Sequence, residues 1–199
     1  MDTTAVVISL LGFAELSCLP LLFLIKSDGR LNLRWWMTAA PFFVGEGLLI
    51  AALAGGIRPE TPKGWSTGLG IVASVAAAAG IALLSATWGT HRVKLSLWHQ
   101  DNDAPQSIVT VGPYRMIRHP FYTGFLLIMI SAVLALPHWS TLAAFAYTLM
   151  ALNVTAVREE RRLSASEFGR EYQAYARRTG RFLPHLKVRH HIPESARTA

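Results

Sequence analysis

The sequence predicts an all-α, polytopic membrane protein. About five transmembrane helices are expected, the last two forming a helical hairpin, followed by a C-terminal helix on the inner face. Three observations carry this. Of the 199 residues 52% are apolar and only 16% charged, against about 25% charged in soluble domains, and mean hydropathy is +0.33. The apolar residues gather in five runs near the roughly twenty residues needed to cross a hydrocarbon core. The Lys and Arg residues fall almost wholly on one side of such an arrangement. An ordinary soluble globule, a disordered chain and a disulfide scaffold fit none of this. Cys18 is the single cysteine, so it has no internal disulfide partner, and no Cys/His spacing suits a zinc site.

The runs are taken in order. Ala5 to Ile25 is the first; the preceding Met1-Asp2-Thr3-Thr4 lacks Lys and Arg, unlike the n-region of a signal peptide. Trp35 to Ala54 is the second. Glu15 and Glu46 lie in the middle of these two runs. A carboxyl at that depth must pair, face a wet cavity or be protonated, so each reads either as an interhelical hydrogen-bonding group or as a substrate- or proton-handling group. Trp65 to Trp88 is the third, and its Ala76 to Gly80 stretch predicts close helix packing through small side chains. Phe121 to Leu136, the fourth, is short, so it tilts or begins within the headgroup layer. Trp139 to Val157, the fifth, follows after only Pro137 and His138, which forces an antiparallel hairpin. In lipid each run must be helical, because backbone N–H and C=O groups find no water. Trp35, Trp36, Trp65, Trp88 and Trp139 sit at run ends, where amphipathic rings favour the interface.

The net charge of +7 and pI near 10.1 raise the question of nucleic acid. The positions of the charges answer it. With an outside N-terminus, the inner segments hold 17 of the 19 Lys and Arg residues, and the outer ones only Arg58 and Lys63. That is the positive-inside pattern, so the expected partner is a lipid bilayer and not nucleic acid. The Ala-rich composition and the lack of organelle signals point to a prokaryotic inner membrane, with the C-terminus cytoplasmic. The chain reads as one integral membrane domain, with three N-terminal helices over 1–88, a catalytic region over 89–184 and a flexible basic tail over 185–199. Oligomeric state is not readable.

Two inner-face segments carry chemistry. In the first, Gly112-Pro113 signals a turn and His119 precedes Pro120, which suits the first position of a helix. The fourth run is thus expected to start with His119 as N-cap, and a helix start with Arg118 and His119 beside it is an anion site. The second runs from Arg158-Glu159-Glu160 through Ser164 and Glu167, which fit a capping box, to Phe168, Tyr172 and Tyr175, which share one helical face. The hairpin returns this segment beside the first. Read alone, Arg115 and Arg118 also suit lipid phosphates, the glutamates suit solvated ion pairs, and the aromatic stripe suits packing.

Gly112-Pro113-Tyr114-Arg115 leading to Arg118-His119-Pro120-Phe121-Tyr122-Thr123-Gly124 resembles the isoprenylcysteine carboxyl methyltransferase family, which includes phospholipid methyltransferase relatives. The paired Glu159-Glu160, Leu163, Phe168-Gly169, Glu171-Tyr172 and Tyr175 resemble its second hallmark, and Arg181-Phe182-Leu183-Pro184 its usual ending. The resemblance covers roughly residues 80–184. It implies a five-helix enzyme that uses S-adenosyl-L-methionine and methylates a lipophilic or prenylated acceptor, with the cofactor near the inner interface. Carried over residue by residue, Tyr114, Arg118, His119, Pro120, Tyr122, Glu159 and Glu160 would contact the cofactor. Arg158 and Arg118 would serve catalysis, Arg158 by steering an anionic acceptor. No metal is implied. The stretch from Trp88 to Trp98 departs from the Leu-Gly-containing pattern of relatives, which leaves the acceptor's identity open.

The chemistry agrees with that implication. A carboxylate is already ionised at neutral pH, with an unperturbed pKa near 4, whereas an amine must first lose a proton. No compelling base stands in the sequence, which favours the carboxylate of an isoprenylcysteine-like molecule. The competing readings are an NADPH-dependent, sterol-reductase-like membrane enzyme and a non-enzymatic membrane scaffold. No GxGxxG unit supports the former; Glu15 and Glu46 are the best support for the latter.

Overall fold

A computed structural model of the chain describes residues 29–58, 66–90 and 108–185. The first apolar run with Glu15 and Cys18, the linker with His91 and His99, and the tail with His190 and His191 lie outside the described residues. Among those described, five α-helices follow in order: α1 (Leu33–Leu53), α2 (Ser66–Thr90), α3 (Pro120–Ala135), α4 (Trp139–Ser164) and α5 (Gly169–Arg178). A 3₁₀ turn over Gly112–Arg115 precedes α3. There is no β-strand among them; a parallel bridge joins Ile117 and Gly180. The helices α1 to α4 begin and end within two residues of the second to fourth runs and the start of the fifth, and α4 continues seven residues beyond the apolar part to carry Arg158, Glu159 and Glu160.

The centre is α3. It buries Phe121, Tyr122, Phe125, Leu126, Ile128, Met129 and Ala132 around most of its circumference, as a helix does when neighbours surround it. At 16 residues it is about 24 Å long, shorter than a full span. Its main partner is α2, which turns Gly70, Ala73, Ala77, Gly80, Leu84 and Thr87 inward at steps of three and four. The small residues of this stripe let the backbones meet. A Cβ on Gly80 would lie 2.8 Å from the Gly124 carbonyl oxygen, and one on Gly124 would lie 3.1 Å from that of Gly80. The expected close packing near Gly80 is therefore present, and α3 supplies the other glycine.

The hairpin forms as the Pro-His link predicts. Leu136 closes α3, and His138 caps α4 by accepting the Ser140 N–H on Nδ1 at 3.2 Å. The Thr141 hydroxyl donates to the Leu136 and His138 carbonyls at 2.7 and 2.8 Å, tying the turn. Helix α1 leans on α3 and α4: Leu49 is fully buried, and the Tyr147 hydroxyl of α4 donates to the Met37 carbonyl at 3.1 Å.

The outer surfaces remain apolar. Val44 and Ile50 on α1, Val72 and Val75 on α2, and Leu142, Met150 and Val154 on α4 are all exposed, far more than a water-facing surface carries. Helices α2 and α4 are long and apolar enough to cross a membrane, while Phe43–Leu53 and Pro120–Ala135 are shorter apolar stretches. Glu46 is half-buried within α1.

One local expectation is corrected. Ser164 and Glu167 do not cap a helix. Ser164 is the last residue of α4, and its hydroxyl donates back to the Glu160 carbonyl at 2.7 Å. Helix α5 starts after Phe168, whose N–H is taken by the Ser166 hydroxyl at 3.3 Å. A serine hydroxyl can donate to the carbonyl four residues back in its own helix, which is a local alternative to capping.

The α2–α3 seam gives a stability test. Gly80→Ala puts a methyl against backbone and is expected to cost about 1–3 kcal/mol, seen as a lower unfolding temperature in detergent. Gly47→Ala, where a Cβ meets nothing within 4 Å among the described residues, is expected to lose none.

Candidate functional site

The site is built where the start of α3 meets the end of α4. Gly112 takes a φ of 58°, open to glycine at little cost, and Pro113 starts the 3₁₀ turn. Ile117 to His119 then cross to α3, and Pro120 opens that helix with His119 as N-cap. This segment pairs with the strap that follows α5. The Arg118 N–H donates to the Gly180 carbonyl at 2.8 Å, the His119 N–H to that of Arg181 at 3.1 Å, and the Gly180 N–H to that of Met116 at 3.3 Å. The Thr123 hydroxyl adds a bond to the Phe182 carbonyl at 2.9 Å.

The Glu160 carboxylate is the hub. Arg181 grips it in a fork, Nε to Oε1 at 3.0 Å and Nη2 to Oε2 at 2.7 Å. Arg118 Nε reaches Oε1 at 3.0 Å, and His119 Nε2 lies 3.3 Å from the same oxygen. Such charge-assisted, bidentate contacts are the stronger class of hydrogen bond. The bond to Glu160 raises the Arg181 pKa above its ordinary value. Arg118 Nη1 also donates to the carbonyls of Ala176, at 3.0 Å, and Thr179, and Arg181 Nη1 to Asn153 Oδ1 at 2.9 Å.

Glu159 faces the other side of the same imidazole. Its Oε2 lies 3.5 Å from His119 Nδ1, and its Oε1 accepts the Tyr122 hydroxyl at 2.6 Å. The His119 and Tyr122 rings stack with centroids 5.2 Å apart and 3° between planes, and Phe182 tilts over His119 at 6.1 Å. The two glutamates differ in access: the Glu159 side chain is 34% exposed, that of Glu160 only 16%. Burial raises the Tyr114 pKa well above 10, with Tyr175 and Glu159 adding to it. The Tyr175 hydroxyl donates to the Tyr114 carbonyl at 2.7 Å, and its pKa is pushed up to about 12 by burial.

The structure thus brings together Tyr114, Arg118, His119, Tyr122, Glu159 and Glu160, with Pro120 turning the chain into α3. Arg158 is exposed and takes part in none of these bonds. No group of three or more metal-ligating side chains occurs among the described residues. Sequence reasoning missed Arg181 and Asn153 as members of the cluster. Arg181 was visible only as the first residue of the Arg-Phe-Leu-Pro ending. Asn153 carries no motif, although it stands seven residues before Glu160 and so on the same face of α4.

A sequence profile of the isoprenylcysteine carboxyl methyltransferase family matches residues 67–165. Two rice proteins, from Oryza sativa subspecies indica and japonica, are each 31% identical over 80 residues; both are named probable protein-S-isoprenylcysteine O-methyltransferase. The matched stretch is 40% of this chain and 42% of each relative's length. No solved structure matches the chain.

The two glutamates should separate in a stability measurement. Glu160→Gln leaves two guanidiniums facing a neutral amide in a largely buried site and is expected to cost about 3 kcal/mol. Glu159→Gln keeps an acceptor for Tyr122 and should cost under about 1 kcal/mol. Thermal unfolding followed by tryptophan fluorescence in detergent checks the order.

Proposed function

Because the chain belongs to the isoprenylcysteine carboxyl methyltransferase family, we propose that it is an integral membrane methyltransferase that uses S-adenosyl-L-methionine. Its acceptor is lipophilic, and the carboxylate of an isoprenylcysteine-like molecule fits best. The observation that carries this is the joining of Arg118, His119 and Tyr122 to Glu159 and Glu160 at one end of the α3–α4 hairpin.

The donor set suits a zwitterionic, cationic cofactor. Two guanidiniums against one largely buried carboxylate leave a local positive field that suits a further carboxylate, and a partly exposed glutamate matches an ammonium group or ribose hydroxyls. When bound, S-adenosyl-L-methionine supplies a methyl group on a cationic sulfur. The chain's own residues divide the remaining work. Arg118 and Arg181 neutralise Glu160 and fix it. Glu160 and Glu159 hold the two ring nitrogens of His119, so the ring keeps one orientation. Tyr122 holds Glu159, whose exposed face meets the ligand. Arg158, exposed one residue earlier, is suited to draw in an anionic acceptor.

Glu160 and His119 are not arranged to take a proton. Glu160 accepts from three side chains, and both His119 nitrogens face carboxylates. An acceptor that is already ionised needs no such group, which supports a carboxylate over an amine. Catalysis then rests on holding two reactants close and in line, away from water. The apolar outer surfaces of α1, α2 and α4 let a greasy tail stay in the bilayer while its polar head meets the site. The proposed setting is a prokaryotic inner membrane with the N-terminus outside and the site cytoplasmic, residues 89–184 forming the catalytic region.

Calorimetry of the detergent-purified protein with S-adenosylhomocysteine tests the reading. Binding is expected, and Glu159→Ala is expected to weaken it by about tenfold or more, the size of one charge-assisted bond. Radiolabelled methyl transfer to a panel of lipophilic acids and amines should favour acids and give a base-labile product. Binding of NADPH instead of S-adenosylhomocysteine would overturn the proposal.

A further inference from the structure

The Tyr172 hydroxyl is a buried polar atom without a hydrogen-bond partner, and no other side-chain atom among the described residues shares that condition. The residue is only 3% exposed. It sits in the first turn of α5, its ring edge-on to Tyr175 at 6.1 Å. A buried O–H with no acceptor is costly, whereas a phenylalanine of the same shape carries no such penalty. Packing alone therefore favours Phe here, and the sequence keeps Tyr. By contrast, Tyr175 three residues on uses its hydroxyl on the Tyr114 carbonyl, and Tyr122 uses its own on Glu159.

The surroundings say what the hydroxyl suits. Glu160, Arg118 and Arg181 all bear on it electrostatically, and burial first, then Glu160, keep it protonated well above its ordinary range. It is thus a donor. It does not donate to Glu160, whose two oxygens already take Arg118, Arg181 and His119. The two guanidiniums nearby make the same region favourable to a second carboxylate. Among the polar groups of the proposed cofactor, the carboxylate of its amino-acid end is the one that needs donors of this kind.

We propose that the Tyr172 hydroxyl binds the amino-acid carboxylate of the nucleoside cofactor, as a further ligand-binding residue of the site. This rests on reading the cluster as an S-adenosyl-L-methionine site. The strap bearing Arg181 and Phe182 is joined to the same cluster by the bridge at Gly180 and by the Arg181 fork.

Calorimetry and thermal unfolding of the full chain in detergent test it, comparing wild type with Tyr172→Phe. The probes are S-adenosylhomocysteine and its decarboxylated analogue. Tyr172→Phe is expected to weaken S-adenosylhomocysteine by about tenfold, one hydrogen bond to a charged group. With the analogue the gap between the two proteins should close. The unliganded variant should unfold at the same or a higher temperature than wild type, since it no longer buries an unpaired hydroxyl. If wild type binds no S-adenosylhomocysteine, the cofactor reading fails and this inference falls with it. If wild type binds and Tyr172→Phe binds equally well, or loses the same factor with both probes, the cofactor reading stands and Tyr172 is not its carboxylate ligand. A lower unfolding temperature for the unliganded variant also overturns the inference, because it shows the hydroxyl at work inside the protein.

Discussion

A single carboxylate, Glu160, organises the polar end of this bundle. It joins three pieces of chain: the entry to α3 through Arg118 and His119, the end of α4 on which it stands, and the strap through Arg181. Two guanidiniums around one largely buried carboxylate are tolerable only because their remaining donors find carbonyls of Ala176 and Thr179 and the amide of Asn153. Charge buried without such partners would cost several kcal/mol or more. The cluster therefore assembles as a unit, and the helices around it are arranged to deliver its members.

That delivery is a matter of chain geometry. Pro120 fixes where α3 begins, and Pro137-His138 fixes where it turns back. Between them the chain travels out and home, so residues 41 and 42 apart in sequence touch. Neither glutamate could lie within the hydrocarbon at low cost. The seven-residue extension of α4 beyond its apolar part carries both of them past that region. The strap then adds Arg181 from the far side and lays Phe182 against His119. Polar chemistry is concentrated at one end, and lipid-like surface covers the rest.

How much of this could be read from residues depends on whether the interaction is local or periodic. The start of α3 was legible because proline restricts both itself and its predecessor. The hairpin was legible because two residues leave no other route. The approach of Arg118-His119 to Glu159-Glu160 followed from those two facts. Arg181 was not legible as a cluster member, since it meets Glu160 across 21 residues that include a separate helix and no repeating pattern. The supposed capping box failed because a serine hydroxyl has two local partners of similar quality, and a string of letters does not say which it takes. The glycine stripe of α2 was legible as small, but its partner Gly124 sits within a motif read for chemistry. Its second duty, in packing, was hidden by the first.

The crossing at Gly80 and Gly124 has a mechanical consequence. Most helix contacts are cushioned by side chains that can change rotamer and so absorb sliding. Here each glycine faces the other helix's main chain, with the Leu84 and Ile128 side chains beside the contact. At that crossing α2 and α3 have little room to approach or slide past each other. Relative movement of the helices is easier at the joints filled by larger side chains, on the faces that α1 and α4 present.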